Sequence, residues 1–184
     1  QTLILRKKIL GADNLEVAVC FNSLAEQDIL QKKYSQAEPM CEEVQKITAM
    51  SPDTELVWGV TLNLLARIDI EKGNYAKAAA ANQKALEIMR RNYPEGHAAI
   101  AKCLENQAKL AFIMGRFQEA EPLFSQSRDS LQKYYGTAHL YTILVLEDTL
   151  EFYQAIGKTN EVKKLENMLH KLRAKVAKAN KSKE

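Results

Sequence analysis

The feature that most constrains this chain is a phrase written three times in clear form and once faintly. It reads KKYSQAEPMC at 32–41, GNYAKAAAAN at 73–82, GRFQEAEPLF at 115–124 and GKTNEVKKLE at 157–166. Tyr34 precedes Tyr75 by 41 residues, Tyr75 precedes Phe117 by 42, and Phe117 precedes Thr159 by 42. A period this regular means an array of like units, each burying its apolar face on its neighbours, and it decides the fold before any other signal.

A second element recurs between these phrases. LGADNLEVAVCFNSLA (10–25), YPEGHAAIAKCLENQA (93–108) and YGTAHLYTILVLEDTL (135–150) match, and SPDTELVWGVTLNLLA (51–66) is the same element shortened by one residue. Each opens on turn residues and continues with an apolar stripe at helical spacing, as in Val17, Phe21, Leu24 and Ala25. Asp13 with Glu16 three residues on predicts a capping box. Ser51-Pro52 predicts a hydroxyl cap before a proline at the first helical position, and Pro94 is expected to serve likewise. These helices are expected to stop near Lys32, Gly73, Gly115 and Gly157, where a left-handed residue closes the last turn.

The repeated phrase then starts a second helix. Ala37, Ala78 and Ala120 let it approach the first, and Pro39 and Pro122 are expected near its first turn, where their rings clash least. The unit is a helix hairpin, and four of them are expected to stack. The boundaries read as repeat 1 over 11–50, repeat 2 over 51–92, repeat 3 over 93–134, and repeat 4 with the start of a closing helix over 135–169. Residues 170–184 form a basic tail, and 1–10 read as the second helix of a truncated preceding repeat, a chain cut from something longer. The fourth unit departs most: Thr159 replaces the aromatic, Val162 the alanine and Glu166 the apolar Phe124. That is how an end unit facing water is expected to differ.

These hairpins resemble tetratricopeptide repeats, in the longer form of about 42 residues found in kinesin light chains and many bacterial proteins. The resemblance rests on LGADNLEVAVCFNSLAE, on Ala25, Ala66 and Ala108, on Gly73, Tyr75 and Ala78, and on GRFQEAEPLF, and it covers about residues 10–165. It implies an all-α, right-handed superhelical solenoid of antiparallel hairpins. It also implies a non-catalytic interaction module, an adaptor or scaffold, that holds a partner peptide or protein segment in a concave groove lined by the first helices. A repeat array that self-associates into an oligomer is the alternative.

Composition fits a soluble, helix-rich chain: 46% of its 184 residues are apolar and 27% charged. No apolar run reaches the roughly 20 residues that cross a bilayer. The net charge of +3 is local, since residues 170–184 hold 6 Lys or Arg against 1 Glu and the rest holds 20 basic against 22 acidic residues. A nucleic-acid footprint across the body is therefore not expected, and only the tail offers one. Three cysteines in no metal spacing argue against a disulfide framework and for a reduced, cytoplasmic setting. The sequence holds no phosphate loop, nucleophile elbow, His-Glu-x-x-His or Cys-x-x-Cys, so neither enzyme nor cofactor nor metal is expected. His97 and His139, 42 residues apart, read as turn residues of successive units.

What the resemblance implies for the groove can be placed by helical phase. The first helix offers Val19, Asn22, Glu26, Ile29 and Leu30, and the second Val60, Asn63, Arg67, Ile70 and Glu71. The third offers Lys102, Glu105, Asn106, Lys109, Phe112 and Ile113, and the fourth Leu144, Glu147, Asp148 and Glu151. Asn22, Asn63 and Asn106 are expected to hydrogen-bond a peptide backbone. Arg67, Lys102 and Lys109 make a positive centre, and Glu147, Asp148 and Glu151 an acidic end. The ligand so implied carries acidic groups toward its middle and a basic group toward the last repeat. The Lys, Asn and Arg set with which chaperone-binding members clamp two carboxylates is present only in fragments.

Overall fold

The computed structural model describes residues 9, 11, 14–49 and 54–181, and all secondary structure among them is helical. The helices are α1 (Leu15–Leu30), α2 (Tyr34–Thr48), α3 (Glu55–Glu71), α4 (Tyr75–Asn92), α5 (Ala98–Ile113), α6 (Phe117–Tyr135), α7 (Leu140–Ala155) and α8 (Thr159–Lys181). They pair as four antiparallel hairpins in two compact units, one over Gln1–Tyr93 and one over Pro94–Glu184. In the first unit α2 packs on α3 and α1 on α3; in the second α6 packs on α7 and α5 on α7. The helix expected over 1–10, of which Ile9 alone is described, lies otherwise outside the described residues, as do Asp13, Ser51 and Pro52.

All four hairpin turns close alike. In α3 the N–H of Gly73 donates to the carbonyl of Ile70 at 3.1 Å and the N–H of Asn74 to that of Asp69 at 2.8 Å. This double bond pattern satisfies carbonyls that a helix end otherwise leaves orphaned. The same pair recurs at Lys32 and Lys33, Gly115 and Arg116, and Gly157 and Lys158. The closing residue must be left-handed, and in the first hairpin a lysine takes that place, Lys32 at φ 59°.

Ala37, Ala78 and Ala120 are fully buried at the crossings. The glutamate beside two of them has a second job. Glu38 pairs with Lys72, and Glu121 pairs with Lys158 at 2.5 Å, each tying a second helix to the turn of the next hairpin in its own unit. Pro39 and Pro122 sit deeper than expected, as the sixth residues of α2 and α6. Each therefore forfeits one helical hydrogen bond instead of standing where none is due. Gly59, mid-helix in α3, allows contact with α4: a β-carbon there would lie 2.7 Å from Ile88 Cγ2.

In the second unit the core is aromatic. Phe124 and Phe152 are buried with ring centroids 5.5 Å apart, and Phe112 meets Phe152 edge-on at 5.5 Å. Leu165, Leu169 and Leu172 of α8 cover Ile143 and Leu146 of α7. α8 runs as one helix from Thr159 to Lys181, and these leucines form its apolar stripe.

Candidate binding faces on the first helices

The first unit presents α1 beside α3. Asn22 is buried between them: its amide Nδ2 donates to the Val57 carbonyl at 3.1 Å, and its Oδ1 lies 3.0 Å from the Thr61 hydroxyl. Both ends of this side chain are thus engaged inside the fold. Glu26, Asn63 and Arg67 are half-buried, and Arg67 reaches Glu71 one turn on at 3.7 Å. Ile29 and Ile70, placed on the groove by phase, are buried instead; Ile29 packs with Ala37 and Cys41 of α2.

The second unit presents α5 beside α7, and its polar groups are ionic. Lys109 Nζ stands 3.2 Å from Asp148 Oδ1, with the two side chains only 13% and 12% exposed. Glu147 meets Arg173 of α8 at 2.6 Å. The Lys102 ammonium lies 3.6 Å from the centroid of the Tyr141 ring, a close cation–π contact. Glu105 and Asn106 are buried, Glu151 is exposed, and Phe112 is half-buried in the aromatic cluster. The charges expected to form a positive centre and an acidic end therefore meet partly within this chain: Lys109 and Asp148 come from opposite zones of that reading and neutralise each other.

Arg173 was hard to see in the sequence, because its partner lies 26 residues away on another helix. His97 and His139 stand in the inter-repeat turns as helix N-caps, each ring accepting a backbone hydrogen bond at Nδ1, from Ala99 at 3.2 Å and from Tyr141 at 3.3 Å. Pro94, by contrast, caps nothing; α5 begins at Ala98, and the Pro94 carbonyl accepts from the N–H of His97 in the turn. Burial, with the ammonium of Lys102 second, pushes the His139 imidazole below its ordinary value of 6.5. Burial likewise drives the Cys41 thiol up to about 12, helped by Glu38 and Glu42, so it stays protonated and unreactive. Among the described residues no three His, Cys, Asp or Glu side chains gather as a metal site, and no helix is long and apolar enough to cross a membrane.

Residues 59–129 match the family model of the tetratricopeptide repeat. Among solved structures the chain resembles BtubC (BKLC) from P. vanneervenii with a TM-score of 0.68, at 17% identity over 93% of this chain and 67% of that one. It also resembles a putative kinesin light chain of Podosopora anserina with nearly identical TPR-like repeats. That likeness has a TM-score of 0.52 at 19% identity, over 95% of this chain and 83% of the other. A second crystal structure of the same protein gives 0.55 at 19% identity, over 96% and 84%. Likeness at such identities speaks for the fold. No curated protein matches by sequence. The hairpins before and after the matched residues share the construction of those within it, a TPR-like fold.

Proposed function

We propose that the chain is a non-catalytic protein-interaction module that takes a partner segment on the first-helix faces, with the α5–α7 face of the second unit as the principal contact. The observation that carries this reading is the polar content of that face. Lys102 and Lys109 of α5 and Glu147 and Asp148 of α7 stand on two adjacent helices, the Lys109–Asp148 pair largely desolvated. Stability alone does not call for such groups, since well-packed apolar residues in place of a buried ion pair are often neutral or stabilising. A recognition surface does call for them. Fixed, paired charges give a partner directional groups to meet at little cost in side-chain ordering.

Glu151 is exposed, and Glu147 is held only by a surface pair with Arg173. A basic group on the partner is expected there. Exposed ion pairs are worth about 0–1 kcal/mol, so displacing Arg173 costs little. The test is affinity capture from native lysate with the intact protein and with Glu147→Lys plus Glu151→Lys, circular dichroism confirming equal helicity. A partner retained by the intact protein and lost by the double variant supports the reading. Equal retention refutes the α5–α7 face as the contact.

Self-association is the second reading, and one observation favours it. Ile113, Met114 and Phe117 are 40%, 46% and 45% exposed around the α5–α6 turn, an apolar group that another copy could cover. Light scattering across protein concentration separates the two: a monomer at every concentration removes this alternative.

A further inference from the structure

The turn that joins α6 to α7 is built around a proton-binding ring. His139 caps α7 by accepting the Tyr141 N–H at Nδ1, which requires a neutral imidazole with its proton on Nε2. The ring stacks on Tyr135, centroids 4.2 Å apart at an interplanar angle of 11°, and lies 5.3 Å from Tyr141; the two tyrosine centroids are themselves 5.5 Å apart, so the three rings close a triangular cluster. Lys102 of α5 stands over this cluster, 3.6 Å from the Tyr141 centroid and 6.0 Å from that of Tyr135. Among the described residues, the charged or titratable groups seen against His139 are Lys102 from α5, Tyr135 from α6 and Tyr141 from its own helix. None of them is anionic at neutral pH.

From this arrangement we infer that His139 is a proton-sensitive latch on the α5–α7 face, whose protonation breaks the α7 cap, opens the Tyr135–His139–Tyr141 cluster and releases Lys102 from its seat. Three effects act together. A proton on Nδ1 removes the acceptor and turns an N–H against the N–H of Tyr141. The new charge sits at a helix N-terminus, where the helix dipole is already positive. It also adds to the nearby charge of Lys102, which after burial is the second cause that depresses the imidazole. His97 makes the same cap bond but meets one tyrosine edge-on, Tyr134 at 4.9 Å, in place of a cluster with two tyrosines. It serves as the internal control.

This inference rests on the reading of α5–α7 as a binding face only for its consequence, the acid-induced weakening of partner contact; the latch itself is read without any partner. The experiment follows the imidazole shift of His139 and the ring shifts of Tyr135 and Tyr141 by NMR on the full chain from pH 7.5 to 5. The expected result is one transition, with His139 titrating below 6.5 and the tyrosine shifts moving with it. Lys102→Met should move that midpoint up. His139→Asn, which caps without titrating, should abolish the tyrosine transition, and His97→Asn should leave it intact. A His139 midpoint at or above 6.5, tyrosine rings that stay put while it titrates, or the same transition in His139→Asn would each overturn the latch. The wild-type titration decides even if a variant fails to fold. Failure of partner capture with the transition present would count against the binding face and not against the latch.

Discussion

The two units solve one problem in two chemistries. Each must fasten the first helix of one hairpin to the first helix of the next. The first unit includes a neutral fastening, the Asn22 amide on the Val57 carbonyl and the Thr61 hydroxyl. The second uses charge, Lys109 on Asp148 and Lys102 on Tyr141, with a histidine closing the turn beside them. The difference teaches where responsiveness resides. A neutral network is indifferent to pH and salt over the ordinary range, whereas a charged face with an imidazole beside it is not. Both turns still share a purely structural lock: Thr54 Oγ1 donates to the Thr48 carbonyl and Thr142 Oγ1 to the Gly136 carbonyl, both at 2.9 Å.

The largest expected effect tests the packing on which the second face stands. Phe152→Ala removes the ring that Phe112, Phe117 and Phe124 surround, and its cost should be about 3–5 kcal/mol in denaturant unfolding. A loss under about 1 kcal/mol would mean that the cluster is looser than the ring distances indicate. Next comes the comparison itself. Lys109→Ala leaves Asp148 in a largely desolvated place and should cost about 2–3 kcal/mol. Asn22→Ala, which removes neutral hydrogen bonds, should cost about 1–2 kcal/mol. Equal costs would erase the distinction between an ionic and a neutral fastening.

Acid sharpens the contrast further. The His139 imidazole is depressed in the folded state, so above 6.5 both folded and unfolded chains hold it neutral and its contribution is fully present. As pH falls from 6.5 through the folded value, the unfolded chain binds the proton first and stability is lost. Stability should therefore fall in that window for the intact protein and fall less for His139→Asn. The smallest effect concerns the first hairpin turn. Lys32→Gly should stabilise by about 1 kcal/mol, because a side chain at positive φ costs about that much and no other hairpin bears it. Unchanged or lowered stability would show that the lysine holds something glycine cannot.

Much of the architecture was legible in residues. Glycines at 73, 115 and 157 marked the helix ends because a left-handed closing residue leaves a compositional trace. Ala37, Ala78 and Ala120 marked the crossings because only a small side chain fits there. The faces were less legible, for two physical reasons. The second repeat is one residue short, so a column through Asn22 and Asn63 continues at Glu105 and not at Asn106. A slip of one residue turns a side chain by about 100° around the helix, so Asn106 stands off the column that Glu105 continues. Pairing also depends on helices separated by a whole repeat: Lys109 and Asp148 are 39 residues apart, and no local pattern announces that they meet. This pairing also rules out Lys109→Glu as a clean probe of the face, since it would set two carboxylates side by side.

The central claim is that the α5–α7 face receives the partner. Hydrogen exchange read by mass spectrometry, with and without the captured partner, tests it most directly. The account predicts that protection concentrates on Ala98–Ile113 and Leu140–Ala155, with Phe117–Tyr135 and Thr159–Lys181 unchanged. Protection confined to those second helices, or to the apolar turn at Ile113, Met114 and Phe117, would contradict it.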